Sequence, residues 1–322
     1  MGELFDRHVQ ITVGIPSGIA TVINAASPKK EPQLRIGYDV KKTVTSALNT
    51  AEVRIWNLDD KTRSLIRPLS RRAASGGAPA SPSAFVLQAG YEEDLFTVFK
   101  GYVTRVTRER EGPDLVTIIE SNDGYDAVQE AEFKKTYKAG TRVVLVLRDV
   151  AESLGIPVVD ATGKNIAGIV AGMIERGQPS IIQRAMSLKG KTVEVLDRLA
   201  FRWRFDWSII DGSIQLVAKN RAVAEPAIKI TAESGLIGAP SKMALTREVS
   251  ETVKKKERTF VEVEDGASFE CLMIPGLKPG ALVDLKSNDV TGVFRCESVN
   301  YSGDNYESAL MCSVEARSVV VA

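Results

Sequence analysis

One histidine, three cysteines and a few clustered acids are the residues whose types could do chemistry. A Ser-His-Asp or Cys-His set would have to use His8, the single imidazole. His8 stands ahead of the first strand-like run, and no G-x-S-x-G elbow presents a nucleophile. Cys271, Cys296 and Cys312 include no C-x-x-C pair, and one histidine cannot complete a His-rich set. No metal ligands are therefore expected. The odd count and wide spacing fit reduced thiols in a chain assembled in a cytoplasm. The alternating runs around Cys296 and Cys312 make them small buried strand residues. Glycoside hydrolysis needs two carboxylates, and Asp59-Asp60, Glu92-Glu93-Asp94 and Asp123 with Asp126 could supply them. Each lies in a turn-like stretch, where acids serve solvation and capping.

Phosphate chemistry fares no better. Gly190-Lys191-Thr192 sits at an expected helix start, but a Walker motif needs a glycine where Ala185 stands, and no strand is expected directly before it. Gly163, Gly168 and Gly172 do not form the dinucleotide fingerprint. Arg67/Arg71/Arg72, Arg105/Arg108/Arg110 and Lys254-Lys255-Lys256-Glu257-Arg258 could touch phosphates, yet they lack the interleaved aromatics of a single-strand platform. They read as solvated faces or subunit contacts. Trp203, Phe205 and Trp207 alternate as core residues of one strand. The expectation is no catalytic, cofactor-binding or metal-binding residues, no cofactor, and no enzyme.

Length and balance narrow the class. The 322 residues suit two or three domains. Apolar residues are 44% and charged residues 26%, the composition of a globular chain, not of a disordered or collagen-like one. Lys+Arg is 42 against Asp+Glu 41, so a whole-chain basic excess for wrapping nucleic acid is absent. Met1 to His8 has no basic region followed by an apolar one, so no cleaved leader is expected. No apolar run approaches the roughly 20 residues that span a bilayer, so no stable membrane insertion is expected.

The elements that would position these residues are mostly strands. Runs 9–13, 34–40, 51–56, 84–91, 95–106 and 115–120 alternate with the period of half-buried strands. Asp59 is placed to cap a short helix that turns Leu65 and Ile66 inward and ends before Pro68. Residues 73–83 have nothing to bury and read as a mobile loop or insertion within the first β region. The middle third changes period. Val143, Val144, Leu147, Val150, Ala151 and Leu154 share one helical face, closed by Gly155. Thr192 caps a second helix to Phe201, with Val195, Leu196 and Leu199 inward. Asp211-Gly212 then joins two alternating runs as a hairpin. Strands return at 228–231, 259–263, 281–286, 292–301 and 308–316. The reading is mainly β with an α+β insert: 1–122 β, 123–222 α+β, and 223–322 β, the outer two suggesting a duplicated barrel.

Three stretches resemble the baseplate hub, or tail-tip hub, proteins of long-tailed bacteriophages. Thr50 to Leu58, with Thr62-Arg63 and Ile66, looks like their "N-x-A-x-I-x-I-x-N-L" segment, with Asn49 one place out of register. Phe99-Lys100-Gly101-Tyr102-Val103 resembles their "F-x-G-x-I" strand. Gly235 to Pro240 looks like a "G-L-I-G-x-P" turn. It is followed by Met273 to Gly280, similar to "L-x-P-x-L-x-P-G", and Asn300 to Asp304, similar to "x-H-x-G-D" with Tyr301 near the family's histidine. The resemblance implies a homotrimer in which two tube-like β-barrel domains per subunit, 1–122 and 223–322, flank the α+β domain 123–222. The implied partners are a tail tube or distal tail protein, a spike or tip protein, and the tape-measure protein, with DNA only as passing cargo. It implies a virion tail baseplate, assembled in the host cytoplasm, that adapts a sixfold tube to a threefold spike. The chain is short for a hub, with no lysozyme-like or long β-helical part. A hub of a contractile secretion or bacteriocin particle is the alternative, and a cell-wall hydrolase the less favoured one.

Overall fold

The computed structural model describes residues 7–14, 20–24, 33–68, 82–91, 94–123, 131–158, 164–219, 222, 226–253 and 256–319. The chain is mainly β. It divides into two compact units, Met1–Lys219 with Asn300–Leu310, and Asn220–Val299 with Met311–Ala322.

Alternation decides the first unit. The strands are β1 (Arg7–Gly14), β2 (Ala20–Ile23), β3 (Ile36–Thr43), β4 (Thr50–Trp56), β5 (Ala84–Tyr91), β6 (Asp94–Glu111) and β7 (Asp114–Asn122). They lie side by side in the order β3-β4-β7-β6-β5-β1-β2, each neighbour antiparallel. In β4, Ala51, Val53 and Ile55 point inward while Glu52 and Arg54 point out. Val53 stands opposite Tyr38 on one side and Ile119 on the other, so one face of each strand is committed to the core. Residues 95–106 belong to a single long strand, bulged between Val103 and Arg105 where it passes β7. His8 lies within β1, not ahead of it.

Asp59 caps α1 (Asp60–Leu65) as expected, its carboxylate accepting from the Thr62 N–H at 2.9 Å. Leu65, expected inward, is 53% exposed. The helix is too short to aim two successive side chains at the core. Only Ile66 is buried, where the backbone has already become extended.

The middle of the chain builds its own core. It contains β8 (Glu132–Tyr137), α2 (Val143–Glu152), α3 (Lys164–Glu175), β9 (Met186–Lys191), α4 (Thr192–Trp203), β10 (Phe205–Ile210) and β11 (Ser213–Ala218). Val146, Leu147, Val150, Ile169, Leu196, Leu199, Trp207 and Leu216 belong to one buried cluster. Asp211 and Gly212 both take φ above zero, 53° and 76°, so the expected tight hairpin forms with Ile209 opposite Ile214. Three expectations are corrected. Thr192 is the first helical residue and not the cap, because β9 runs straight into the helix. Its buried hydroxyl meets Ser153 Oγ at 3.2 Å. Trp203 ends that helix instead of opening a strand, and Arg204 in the left-handed region turns the chain into β10. A strand, β9, does precede Gly190-Lys191-Thr192, paired with β8. Its single buried residue, Leu188, leaves little alternation to read.

The second unit contains β12 (Ile228–Ile230), β13 (Leu236–Val253), β14 (Lys256–Leu272), β15 (Leu282–Lys286), β16 (Thr291–Asp304) and β17 (Met311–Ser318), with residues 300–304 of β16 assigned to the first unit. β12 runs parallel to β15, and β15 antiparallel to β16. β14 pairs with β17 and with β13. The Gly235 to Pro240 stretch is mostly strand rather than turn: Gly235 closes a short 3-10 helix, β13 begins at Leu236, and the register breaks between Ile237 and Ser241. Cys271, Cys296 and Cys312 are fully buried free thiols. Burial pushes the Cys296 thiol above its usual range. The Cys271 contact and burial do the same for Cys312, so both stay protonated and unreactive.

Candidate functional site

The densest buried polar contacts described in the first unit lie where strand ends meet the middle hairpin. β3 delivers Lys42 and β4 begins just after Asn49, while β7 ends at Asn122, one residue before Asp123. Lys42 is 2% exposed, and its ammonium donates to both oxygens of Asp211 at 2.7 and 2.8 Å. It also sits 5.8 Å from the ring centre of Tyr301. Asp211 belongs to the β10–β11 turn, and its carboxylate accepts in addition from the Lys100 N–H at 3.1 Å. One turn carboxylate thus ties β3 and β6 to the hairpin.

Asn49 makes the second tie. Its backbone N–H and side-chain amide donate to the two oxygens of Asp123 at 2.9 and 2.8 Å. The same amide nitrogen donates to the Ile209 carbonyl at 2.6 Å, and its oxygen accepts from the Thr43 N–H at 2.9 Å. Asp123 is fully buried. Burial raises its carboxyl to about 7, against the lowering effect of the Asn49 hydrogen bonds. Asp123 is therefore no solvated turn acid, as its turn-like surroundings suggested. The chain folds over it, and Asn49 supplies its donors. Neither Lys42 nor Asp123 carries a chemical signature in the sequence. Asn49, one place out of register at the head of the family-like segment, is the one signal in the sequence that could have marked this position.

The other motif residues also have structural duties. Asn57 takes φ 58°, and its side chain bridges to Asp114 and to the Leu115 N–H. Gly101 leaves room for the Asn122 carbonyl, which a Cβ would meet at 2.2 Å. Gly303 packs under Leu310, with Asp304 beside it accepting from Arg35 at 2.9 Å and from the Tyr306 and Glu307 N–H groups. The Arg35 guanidinium lies 4.1 Å over the Trp56 ring and also pairs with Glu307. Tyr301, near the position of the family's histidine, is buried.

The residues considered for chemistry do not converge. His8 is buried, with Nε2 at 3.0 Å from the Asn24 carbonyl and Nδ1 at 2.8 Å from Gln33 Nε2. No carboxylate completes a triad there among the described residues. Asp60, beside the cap Asp59, pairs with Arg63 and Arg108. Arg105 pairs with Glu120. Glu92, Glu93, Asp126, Arg71, Arg72, Gly163, Lys254, Lys255 and most of 73–83 lie outside the described residues, as do the side chains of Lys256, Glu257 and Arg258. Gly168 and Gly172 lie inside α3, so they cradle nothing. Among the described residues no His, Cys, Asp or Glu cluster could hold a metal ion, and no helix is long and apolar enough to cross a membrane.

Comparison with curated protein sequences returns no match. Solved structures of the same fold include the 43 kDa tail protein of prophage MuSo2 from Shewanella oneidensis, at 10% identity and TM-score 0.57, with 97% of each chain covered. The tail protein of Neisseria meningitidis MC58 aligns at 9% identity and TM-score 0.56 over 96% of each chain. A chain of the lidded Francisella PdpA-VgrG complex aligns at 7% identity and TM-score 0.50, covering all of this chain and 55% of that one. The family model for baseplate hub gp41 matches residues 9–244, which include Asn49, Gly101, Asp123 and the Asp211 turn. By that match the chain belongs to the baseplate hub gp41 family and is a structural hub protein of a phage tail or a related secretion system.

Proposed function

We propose that the chain assembles as a homotrimeric ring in the virion tail baseplate. In this reading 1–122 and 223–322 are two tube-like barrel domains around the α+β domain 123–222. Three copies then present six related barrels to the sixfold tail tube or distal tail protein, and three to the spike or tip protein. The ring passes DNA during ejection, contacts the tape-measure end, and forms in the host cytoplasm. It needs no cofactor and no catalytic or metal-binding residue.

The observation that supports assembly is the β13–β14 ribbon. β17 pairs with β14 only from Gly266 to Leu272. Beyond that point Ala244–Val253 and Lys256–Asp265 pair only with each other among the described residues. That is about 30 Å of two-stranded ribbon with both outer edges open. A two-stranded ribbon is at best marginally stable in water, and open edges are templates for another chain. A neighbouring subunit is the natural cover. Near-zero net charge suits a conduit that must not hold DNA. The fold likeness to the VgrG-containing complex favours a second reading, the hub of a contractile secretion particle, with the same ring and no genome passage.

Native mass spectrometry of the purified chain tests the assembly. Three copies are expected, and a variant with Thr246–Val263 replaced by a two-residue turn is expected to be a folded monomer. A wild-type monomer that stays so when mixed with the tail tube protein contradicts the proposal.

A further inference from the structure

The middle of the chain carries a surface pocket of about 430 Å³ that none of the ties described above uses. Its floor is apolar: Val143 from the start of α2, Met173 from the end of α3, Ile182, and Trp203 from the end of α4 are all nearly fully buried. Ile181 on its wall is 41% exposed. Arg184 and Arg202 also line it, both exposed and neither in an ion pair among the described residues. Arg202 reaches only the Met186 sulfur, at 3.8 Å. No acid lines the pocket.

The surroundings point the same way. Seven large apolar side chains are exposed among the described residues. Four of them, Leu145, Ile174, Ile181 and Phe201, come from the elements that build this pocket, and Ile174 and Phe201 adjoin the lining residues Met173 and Arg202 in the chain. Of these, Ile181 lines the pocket itself, and an exposed apolar side chain in the wall of a concavity marks a binding site more than a scattered one does. Two uncommitted guanidiniums add a charge preference, since arginine pairs with carboxylates through a planar fork.

We propose that this pocket docks a short peptide segment of a partner protein in which bulky apolar side chains are flanked by carboxylates. The apolar side chains enter over Met173 and Trp203, and Arg184 and Arg202 hold the acids at the rim. None of the lining residues belongs to the β13–β14 ribbon.

Methyl-labelled methionine NMR on the full chain reads this directly. Met173 and Met186 line the pocket, whereas Met243, Met273 and Met311 do not and serve as internal controls. The probe is the synthetic peptide acetyl-Asp-Ile-Trp-Glu-amide, a sequence this chain does not itself carry. Its controls are the neutral acetyl-Asn-Ile-Trp-Gln-amide and the apolar-deleted acetyl-Asp-Ala-Ala-Glu-amide. Saturable shifts confined to Met173 and Met186 are expected, with each control weaker by about tenfold or more. The Arg184→Glu, Arg202→Glu double variant should weaken the probe similarly while the three control methyls keep their positions. If those control methyls move, the Arg184→Gln, Arg202→Gln pair replaces it. Unmoved Met173 and Met186 signals at millimolar probe overturn the proposal, as does equal binding of both controls or unweakened binding to the charge variants.

Discussion

Asp123 holds its proton near neutrality because burial disfavours its charged form, against the lowering effect of the Asn49 hydrogen bonds and of the nearby Lys42 charge. Its carboxyl is raised from 3.8 to about 7. Between those values the folded chain binds a proton that the unfolded chain has released. Its stabilising contribution is therefore complete below pH 3.8 and is lost as pH rises through about 7. The shift corresponds to a few kcal/mol. Thermal melting of wild type and Asp123→Asn should show it: the variant lacks this component of the decline between about pH 4 and 7. An equal slope in both proteins contradicts the assignment. The Lys42–Asp211 tie makes an asymmetric prediction. Lys42 is 2% exposed, whereas the Asp211 side chain is 31% exposed. Asp211→Asn keeps a residue that tolerates the left-handed turn but strands a buried ammonium, and should cost about 3 kcal/mol in urea unfolding. Lys42→Met leaves a carboxylate that water can reach and should cost less than about 1.5 kcal/mol. Equal costs would show that burial of Lys42 is not the deciding factor.

At the scale of elements, close approach of backbones sets the strictest demands. A Cβ on Gly101 would meet the Asn122 carbonyl at 2.2 Å, between two paired strands that cannot separate without losing register. Gly101→Ala should cost more than about 3 kcal/mol or abolish folding. Gly112, at φ 58° in the β6–β7 turn, has open space around it, so Gly112→Ala should cost only about 1 kcal/mol of backbone strain. Denaturation midpoints check both, and similar values for the two would refute the steric account. The legible elements were those whose buried face repeats regularly, such as β4, or whose turn has one chemical solution, such as Asp211-Gly212. Helix α3 was not legible, because Gly168 and Gly172 weaken its propensity; burial of Ile166, Ile169 and Met173 holds it. β9 was missed because only Leu188 is buried along it, so its pairing with β8 defines it. The joint was not legible in the sequence, where Asn49 stood out only as a family-like residue. Lys42, Asp123 and Asp211 become a cluster only once strands far apart in sequence are brought together.

For the whole molecule, near balance of charge and an open ribbon fit a part made to be covered. The second unit spends buried charge as well: Arg295, fully buried, donates to Glu297 at 2.6 Å, and Arg317 donates to the same carboxylate at 3.0 Å. Removing one partner of such a set is costly, since loss of Glu297 would leave two buried guanidiniums without this carboxylate. Negative-stain electron microscopy of the purified full-length chain tests the central claim most directly. The account predicts particles with threefold symmetry around a central hole, each with six related lobes facing the tube. Compact particles without a hole, unchanged when the tail tube and spike proteins are added, would contradict it.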